Sequence, residues 1–238
     1  MMKRIIQPAL LVATLAFAAA PAFTPSFRGY DPATFPVQIA HPSVQPAGYA
    51  FAIWGLIYLW LIAHAGFGLT KRRGDAAFLR PAAALTASVL LGTVWLAIAV
   101  AAPIPAAVAI VVMAATAIYA YLVADPVQDR WLLSAPLAIY AGWLTAASAV
   151  STGVIIAGYG VLPDTAAALT MLGVVLVIAV AIQINRPQMP IYGATIVWAI
   201  VGIVVKSWGN NPTVAYAALA GAVVMAGVTL VSMRGRAG

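Results

Sequence analysis

The chain has 238 residues, of which 64% are hydrophobic and only 7% are charged. Soluble domains carry about 25% charged residues, so this composition excludes a soluble globular protein and makes lipid the expected solvent. The absence of cysteine excludes disulfides and thiolate metal sites, and two histidines with five acidic residues make a metal site unexpected. The net charge of +7 does not indicate nucleic acid, because the basic residues stand at the ends of apolar segments.

Eight apolar stretches follow one another along the chain, each near the ~20 residues that a helix needs to cross a bilayer. Backbone groups cannot remain unpaired in lipid, so every stretch is predicted to be helical. We therefore expect an all-α integral membrane protein with short connections. The predicted spans are 5–23, 47–69, 81–102, 104–124, 131–157, 165–184, 190–207 and 212–232.

The first stretch allows two interpretations. Lys3 and Arg4, an apolar run and the small residues 18–20 are compatible with a retained helix and also with a cleaved signal peptide. Pro21 is unfavourable directly after a cleavage site, so a retained helix is expected. Cleavage would leave seven crossings and change no other assignment.

The distribution of basic residues predicts the orientation. With eight crossings and a cytoplasmic N-terminus, only Arg28 and Lys206 fall outside. Ten fall inside: Lys3, Arg4, Lys71, Arg72, Arg73, Arg80, Arg130, Arg186, Arg234 and Arg236. Positive residues concentrate in cytoplasmic loops. We expect a bacterial inner-membrane protein with both termini cytoplasmic and the proline-rich loop 24–46 in the periplasm.

The sequence contains no catalytic constellation. It lacks a Ser-His-Asp order, paired carboxylates within one span, a phosphate loop and a metalloprotease motif, so we expect no enzyme. His64 is the one ionisable residue well inside a predicted helix. Such residues are costly in lipid, which favours a proton site or ligand contact. A neutral imidazole bonded to a carbonyl or hydroxyl of a neighbouring helix is the alternative that we favour.

The densest signal is the aromatic run that enters the second span. Pro46 suits the first turn of that helix. Phe51, Trp54 and Tyr58 then share one helical face. Trp54 and Tyr58 lie too deep for an interfacial aromatic belt. They form either core packing or the wall of a pocket for a flat apolar ligand, and the spacing does not decide between the two.

At this run the chain resembles the TspO/MBR family of tryptophan-rich sensory proteins, specifically its long bacterial branch. Residues matching the family's motif at the second helix are Pro42, Pro46, Phe51, Trp54 and Tyr58, with one residue fewer between Phe51 and Trp54. Two further segments agree, through Trp95 in the third helix and Tyr140, Trp143 and Ala147 in the fifth. The chain departs from the family's pattern at His41, Val44, Ala47, Tyr49, Gly92 and Ser151.

The resemblance implies a TspO-like five-helix bundle over 1–157 and a three-helix extension over 158–238. It implies a membrane protein that binds a small hydrophobic or planar ligand beneath the first loop, as sensor, regulator or transporter. No cofactor is firmly implied, although a porphyrin-type ligand is a candidate. The implied ligand-binding residues are Phe51, Trp54, Tyr58, Tyr140, Trp143 and Ala147.

The alternative is an accessory subunit of a larger membrane complex that has no ligand pocket. The expected partners are the bilayer and a small hydrophobic ligand, with a homo-oligomer or a membrane complex left open, and no nucleic acid. His64 lies deeper than Tyr58 along the same helix, so we expect it below the pocket and out of contact with the ligand.

Overall fold

The computed structural model describes residues 2–24, 27 and 29–234, with side chains from residue 5 onward. Within that part of the chain, eight helices are long and apolar enough to cross a membrane. They are α1 (Met2–Ala19), α2 (Ile53–Thr70), α3 (Ala76–Ala101), α4 (Pro103–Val123), α5 (Ser134–Gly158), α6 (Asp164–Asn185), α7 (Pro190–Ser207) and α8 (Pro212–Arg234). The predicted all-helical membrane fold is confirmed.

Two helix starts differ from their predicted positions by five residues or more. The third span was expected from residue 81, but α3 begins at Ala76, where the Asp75 side chain accepts a hydrogen bond from the Ala77 amide at 2.9 Å. Residues 76–79 are apolar, but Arg80 separates them from the long apolar run on which the prediction was based. Pro46 does not lie in the first turn of α2, because a 3-10 turn (Gly48–Ala52) precedes that helix. The amide of Ala47 instead donates to the Gly202 carbonyl of α7 at 2.9 Å.

Helix α5 lies at the centre of the bundle. It contacts α2, α4, α6 and α7 and is buried along most of its length. Helices α3 and α4 share the most extensive helix–helix contact, as the one-residue connection at Ala102 requires. Helix α1 packs on α2 and α3, and α8 packs on α6 and α7. Helix α5 therefore separates α1–α4 from α6–α8 and contacts members of both groups.

One end of the bundle collects the basic residues and their partners. Arg72 donates to Asp129 at 2.6 Å, and this hydrogen bond lowers the pKa of the Asp129 carboxyl. Arg186 donates to the carbonyls that end α4, at Tyr121, Leu122 and Ala124. Arg130 donates to the Gln188 carbonyl at 2.8 Å. Arg28 and Arg236 lie outside the described residues, as do the side chains of Lys3 and Arg4.

At the opposite end of the bundle lie residues 42–50, the segment that leads into α2. They contact α6, α7 and the start of α8. Ser43 donates through both its amide and its hydroxyl to Asp164, at 3.0 and 2.5 Å. Asn211 donates to the Ser43 hydroxyl at 3.0 Å, and Trp198 donates to the Ala50 carbonyl at 3.0 Å. We call this set the outer clasp.

Candidate functional site

The interior of α1–α5 contains a cavity of about 340 Å³, which we call the core chamber. Ligand pockets in proteins span roughly 300–1,000 Å³, so this chamber has the size of a small-molecule site. It lies in the half of the bundle nearest residues 42–50. Its lining residues are Phe17, Ala20, Pro21, Phe27, Phe51, Trp54, Tyr58, Gly92, Trp95, Leu96, Ile110, Met113, Trp143, Leu144 and Ala147.

Aromatic rings form one wall of the core chamber. Trp54 and Tyr58 are one helical turn apart on α2 and stack with ring centroids 5.3 Å apart. Phe17 from α1 meets both rings edge-on, at 5.8 and 5.1 Å. Trp143 from α5 meets Trp54 edge-on at 6.1 Å. Each ring is fixed by another ring, so the wall is a preformed aromatic surface.

Five of the six predicted site residues line the core chamber: Phe51, Trp54, Tyr58, Trp143 and Ala147. The sixth, Tyr140, does not belong to its lining. Tyr140 is fully buried; its hydroxyl lies 3.0 Å from the Ser88 hydroxyl and its ring packs against Phe17. Tyr140 shares a face of α5 with Trp143 but lies nearly one turn closer to the basic end, where Phe17 and Ser88 pack against it and leave no space for the cavity.

His64 lies outside the cavity, as expected. Its Nδ1 is 2.8 Å from the Leu132 carbonyl oxygen, and its ring stacks on Phe78 at 5.4 Å. This is the carbonyl-bonded imidazole favoured by the sequence. The histidine therefore ties α2 to the segment before α5 and does not line the core chamber.

Several lining residues were missed by the sequence analysis. Phe17 in α1 and Met113 in α4 stand in apolar helices and belong to no motif that the sequence analysis used. Trp95 was noted only as a family match. Its indole donates to the Ala106 carbonyl at 2.9 Å, which fixes the ring between α3 and α4.

A second cavity of about 90 Å³, the loop chamber, lies on the other side of Phe51 and Trp143. Phe27, members of residues 29–46, and helices α5, α6 and α7 provide most of its wall. The Tyr30 hydroxyl lies 2.6 Å from the Ser151 hydroxyl, and burial raises the pKa of Tyr30. The sequence analysis missed this chamber because the resemblance covered only 1–157, whereas Met171, Leu172, Val175, Ala199, Ile200 and Ile203 belong to α6 and α7.

Comparison with known proteins adds one decisive match. The model of the family described as TSPO-like protein matches residues 5–231. The chain belongs to the TSPO-like protein family. No curated protein and no solved structure matches the chain. The resemblance inferred from the aromatic run is thereby confirmed at the level of the family, while the long bacterial branch stays a prediction.

In this TSPO-like protein the family match runs through all eight helices, including α6–α8. The division into a five-helix core and a three-helix extension therefore stays a prediction. Membership of the family and eight membrane-spanning helices together establish a multi-pass membrane protein.

The chemistry of both chambers is apolar. Every described residue that lines them is uncharged, and the described chain has no cluster of His, Cys, Asp or Glu that could hold a metal ion. The polar side chains of the walls are few, among them Tyr30, Tyr58 and Ser151. Such walls suit hydrophobic contact and stacking, with a small number of hydrogen bonds to orient a ligand.

Proposed function

We propose that this TSPO-like membrane protein binds a small, planar, hydrophobic ligand in the core chamber and acts as a sensor, regulator or transporter of it. The observation that carries the proposal is the 340 Å³ cavity with the stacked pair Trp54–Tyr58 in its wall. A flat apolar ligand gains about 0.5–1.5 kcal/mol per aromatic pair beyond the area that it buries. A bacterial inner membrane with both termini in the cytoplasm is part of the proposal.

Two features favour binding over catalysis. General acid–base chemistry needs a titratable group within hydrogen-bond reach of the reacting atoms. Among the described lining residues the titratable groups are tyrosines, and no carboxylate, imidazole or amine accompanies them. The rings of the core chamber are fixed by one another, so little ordering is required when a ligand enters. Both features support a ligand-binding protein that is not an enzyme.

The test is a titration with protoporphyrin IX and with 2-methyl-1,4-naphthoquinone, a smaller planar probe, in lipid nanodiscs. The expected result is saturable binding of at least one probe, weakened about tenfold in Trp54→Ala because a stacking surface is lost. Trp208→Ala is the matched control, since Trp208 is exposed at the end of α7 and lines neither chamber.

Two outcomes would overturn this proposal. One is that the wild type binds neither probe saturably. The other is that Trp54→Ala lowers the unfolding temperature while affinity stays unchanged, which would make the aromatic wall core packing. The accessory-subunit interpretation, with a possible larger membrane complex, would then replace ligand binding.

A further inference from the structure

The core chamber and the loop chamber are neighbours with a common wall. Six residues line both: Phe27, Phe51, Trp95, Ile110, Trp143 and Ala147. The rings of Phe51 and Trp143 meet edge-on at 5.8 Å. Phe51 stands in the 3-10 turn before α2, between the outer clasp and the helix proper. A ligand that reached from one cavity into the other would therefore have to pass the Phe51–Trp143 ring pair.

Trp143 brings an unused hydrogen-bond donor to that common wall. Its side chain is 2% exposed, and its Nε1 finds no acceptor among the described protein groups. The indole N–H groups of Trp60, Trp95 and Trp198 each donate to a backbone carbonyl at 2.8–3.0 Å. A buried donor without a partner is unfavourable, so the environment of Trp143 favours a ligand that carries an acceptor.

The loop chamber is suited to a short apolar group. About 90 Å³ is less than the roughly 150 Å³ of an engineered apolar cavity that accepts benzene. Its α6 and α7 walls are formed largely by aliphatic side chains, with Ala199 contributing only a methyl group. Met171, a flexible side chain, adjusts readily to irregular apolar shapes. A short branched alkyl arm suits this volume and chemistry, and the five-carbon prenyl group is its upper limit.

We propose that the ligand occupies both chambers. It is a planar ring with a carbonyl-type acceptor and a short branched apolar arm. The ring stacks in the core chamber, the acceptor takes the hydrogen bond of Trp143 Nε1 at the common wall, and the arm enters the loop chamber between α5, α6 and α7. The inference rests on the proposed function of the core chamber and adds to it the length and the polar group of the ligand.

The experiment compares two probes that differ only in the arm: 2-methyl-1,4-naphthoquinone and its 3-prenyl derivative. Quenching of tryptophan fluorescence in nanodiscs gives both affinities. The wild type is expected to bind the prenylated probe at least tenfold more tightly, since each buried methylene contributes about a factor of four. Trp143→Phe keeps an aromatic ring but removes the donor, and is expected to weaken both probes about five- to tenfold.

Ala199→Leu fills the loop chamber and is expected to reduce the affinity for the prenylated probe to that of the unprenylated one. Ala194→Leu, at an exposed position on the same helix, is the control and keeps the preference. If Ala199→Leu fails to fold, Ile203→Phe fills the same chamber.

The outcomes separate the two proposals. Equal wild-type affinities for the two probes would overturn the two-chamber ligand and leave the proposed function intact. Unchanged affinity in Trp143→Phe would overturn the assigned hydrogen bond. Absence of binding by either probe, with no binding of protoporphyrin IX, would overturn both the two-chamber ligand and the proposed function.

Discussion

Glycine at position 92 determines how closely α1 approaches α3 beside the core chamber. A Cβ atom added there would come within 2.5 Å of Phe17 Cε2 and 3.0 Å of Met113 Cε. The ring of Phe17 therefore occupies space that any other residue at position 92 would take. Position 92 is one of those at which the chain departs from the family's motif. The space that a side chain at this position would occupy is taken by the Phe17 ring in the chamber wall.

Gly92→Ala is the corresponding prediction. The added methyl group must displace Phe17, which is fixed by Trp54, Tyr58 and Tyr140. We expect a loss of about 1–3 kcal/mol in the free energy of unfolding, the usual cost of overpacking. Weaker binding of any ligand that stacks on the Trp54–Tyr58 pair should accompany it. Thermal unfolding in detergent and the probe titration measure the two effects.

Gly173→Ala provides the matched control for this substitution. Gly173 lies inside α6, and a Cβ atom there would meet nothing within 4 Å. Alanine is the better helix former by about 1 kcal/mol, so stability should stay the same or increase. A Gly92→Ala protein as stable as Gly173→Ala would contradict the close packing of Phe17.

At the scale of the helices, composition and turn chemistry were enough to predict where the helices lie along the chain. They were not enough to predict which helices pack against one another. The single residue Ala102 between α3 and α4 dictates their antiparallel pairing. Helix α5 carries buried residues on every side, so its sequence does not say which of them face a cavity. That is why the sequence could not separate Tyr140, which lies outside the lining of the core chamber, from Trp143 and Ala147, which lie in it. The contribution of α6 and α7 to the loop chamber required their packing against α5.

The outer clasp makes α6–α8 responsible for holding residues 42–50, which contribute Pro42, Val44, Gln45 and Pro46 to the wall of the loop chamber. Asp164 accepts from the amide and the hydroxyl of Ser43, so a single side chain joins α6 to this segment. Asp164→Ala is expected to increase hydrogen–deuterium exchange across residues 42–50 by leaving these donors without their partner.

Asp75→Ala is the counterpart at the basic end of the bundle. Asp75 caps α3 through the Ala77 amide and accepts from Gln128 at 2.7 Å. Its loss should increase exchange near residues 75–79 and leave residues 42–50 unchanged. If both variants increased hydrogen–deuterium exchange everywhere to the same degree, the cause would be global destabilisation. The outer clasp would then not hold residues 42–50 locally.

At the scale of the whole molecule, the two ends of the bundle differ in charge. Lys71, Arg72, Arg73, Arg130 and Arg186 lie in the connections at one end, and Arg80 and Arg234 lie in the helical turns beside it. Lys206 lies near the opposite end, at the close of α7. Because the number of helices is even, α1 begins and α8 ends on the same side of the bundle. That side is the one that carries the basic connections. This asymmetry was predictable from the sequence because it depends only on where the spans begin and end.

The basic end is predicted to face the cytoplasm, and the chain offers a direct test because it contains no cysteine. Val127 lies in the α4–α5 connection at the basic end and is 75% exposed, whereas Val161 lies in the α5–α6 connection at the opposite end and is 70% exposed. A membrane-impermeant maleimide applied to intact bacteria should label Val161→Cys through the permeable outer envelope and leave Val127→Cys unlabelled. After the inner membrane is permeabilised, both variants should react to the same extent, which controls for the accessibility of each thiol. Labelling of Val127→Cys alone in intact cells would invert the topology and would place the outer clasp, and with it the side of the loop chamber that residues 42–46 line, in the cytoplasm.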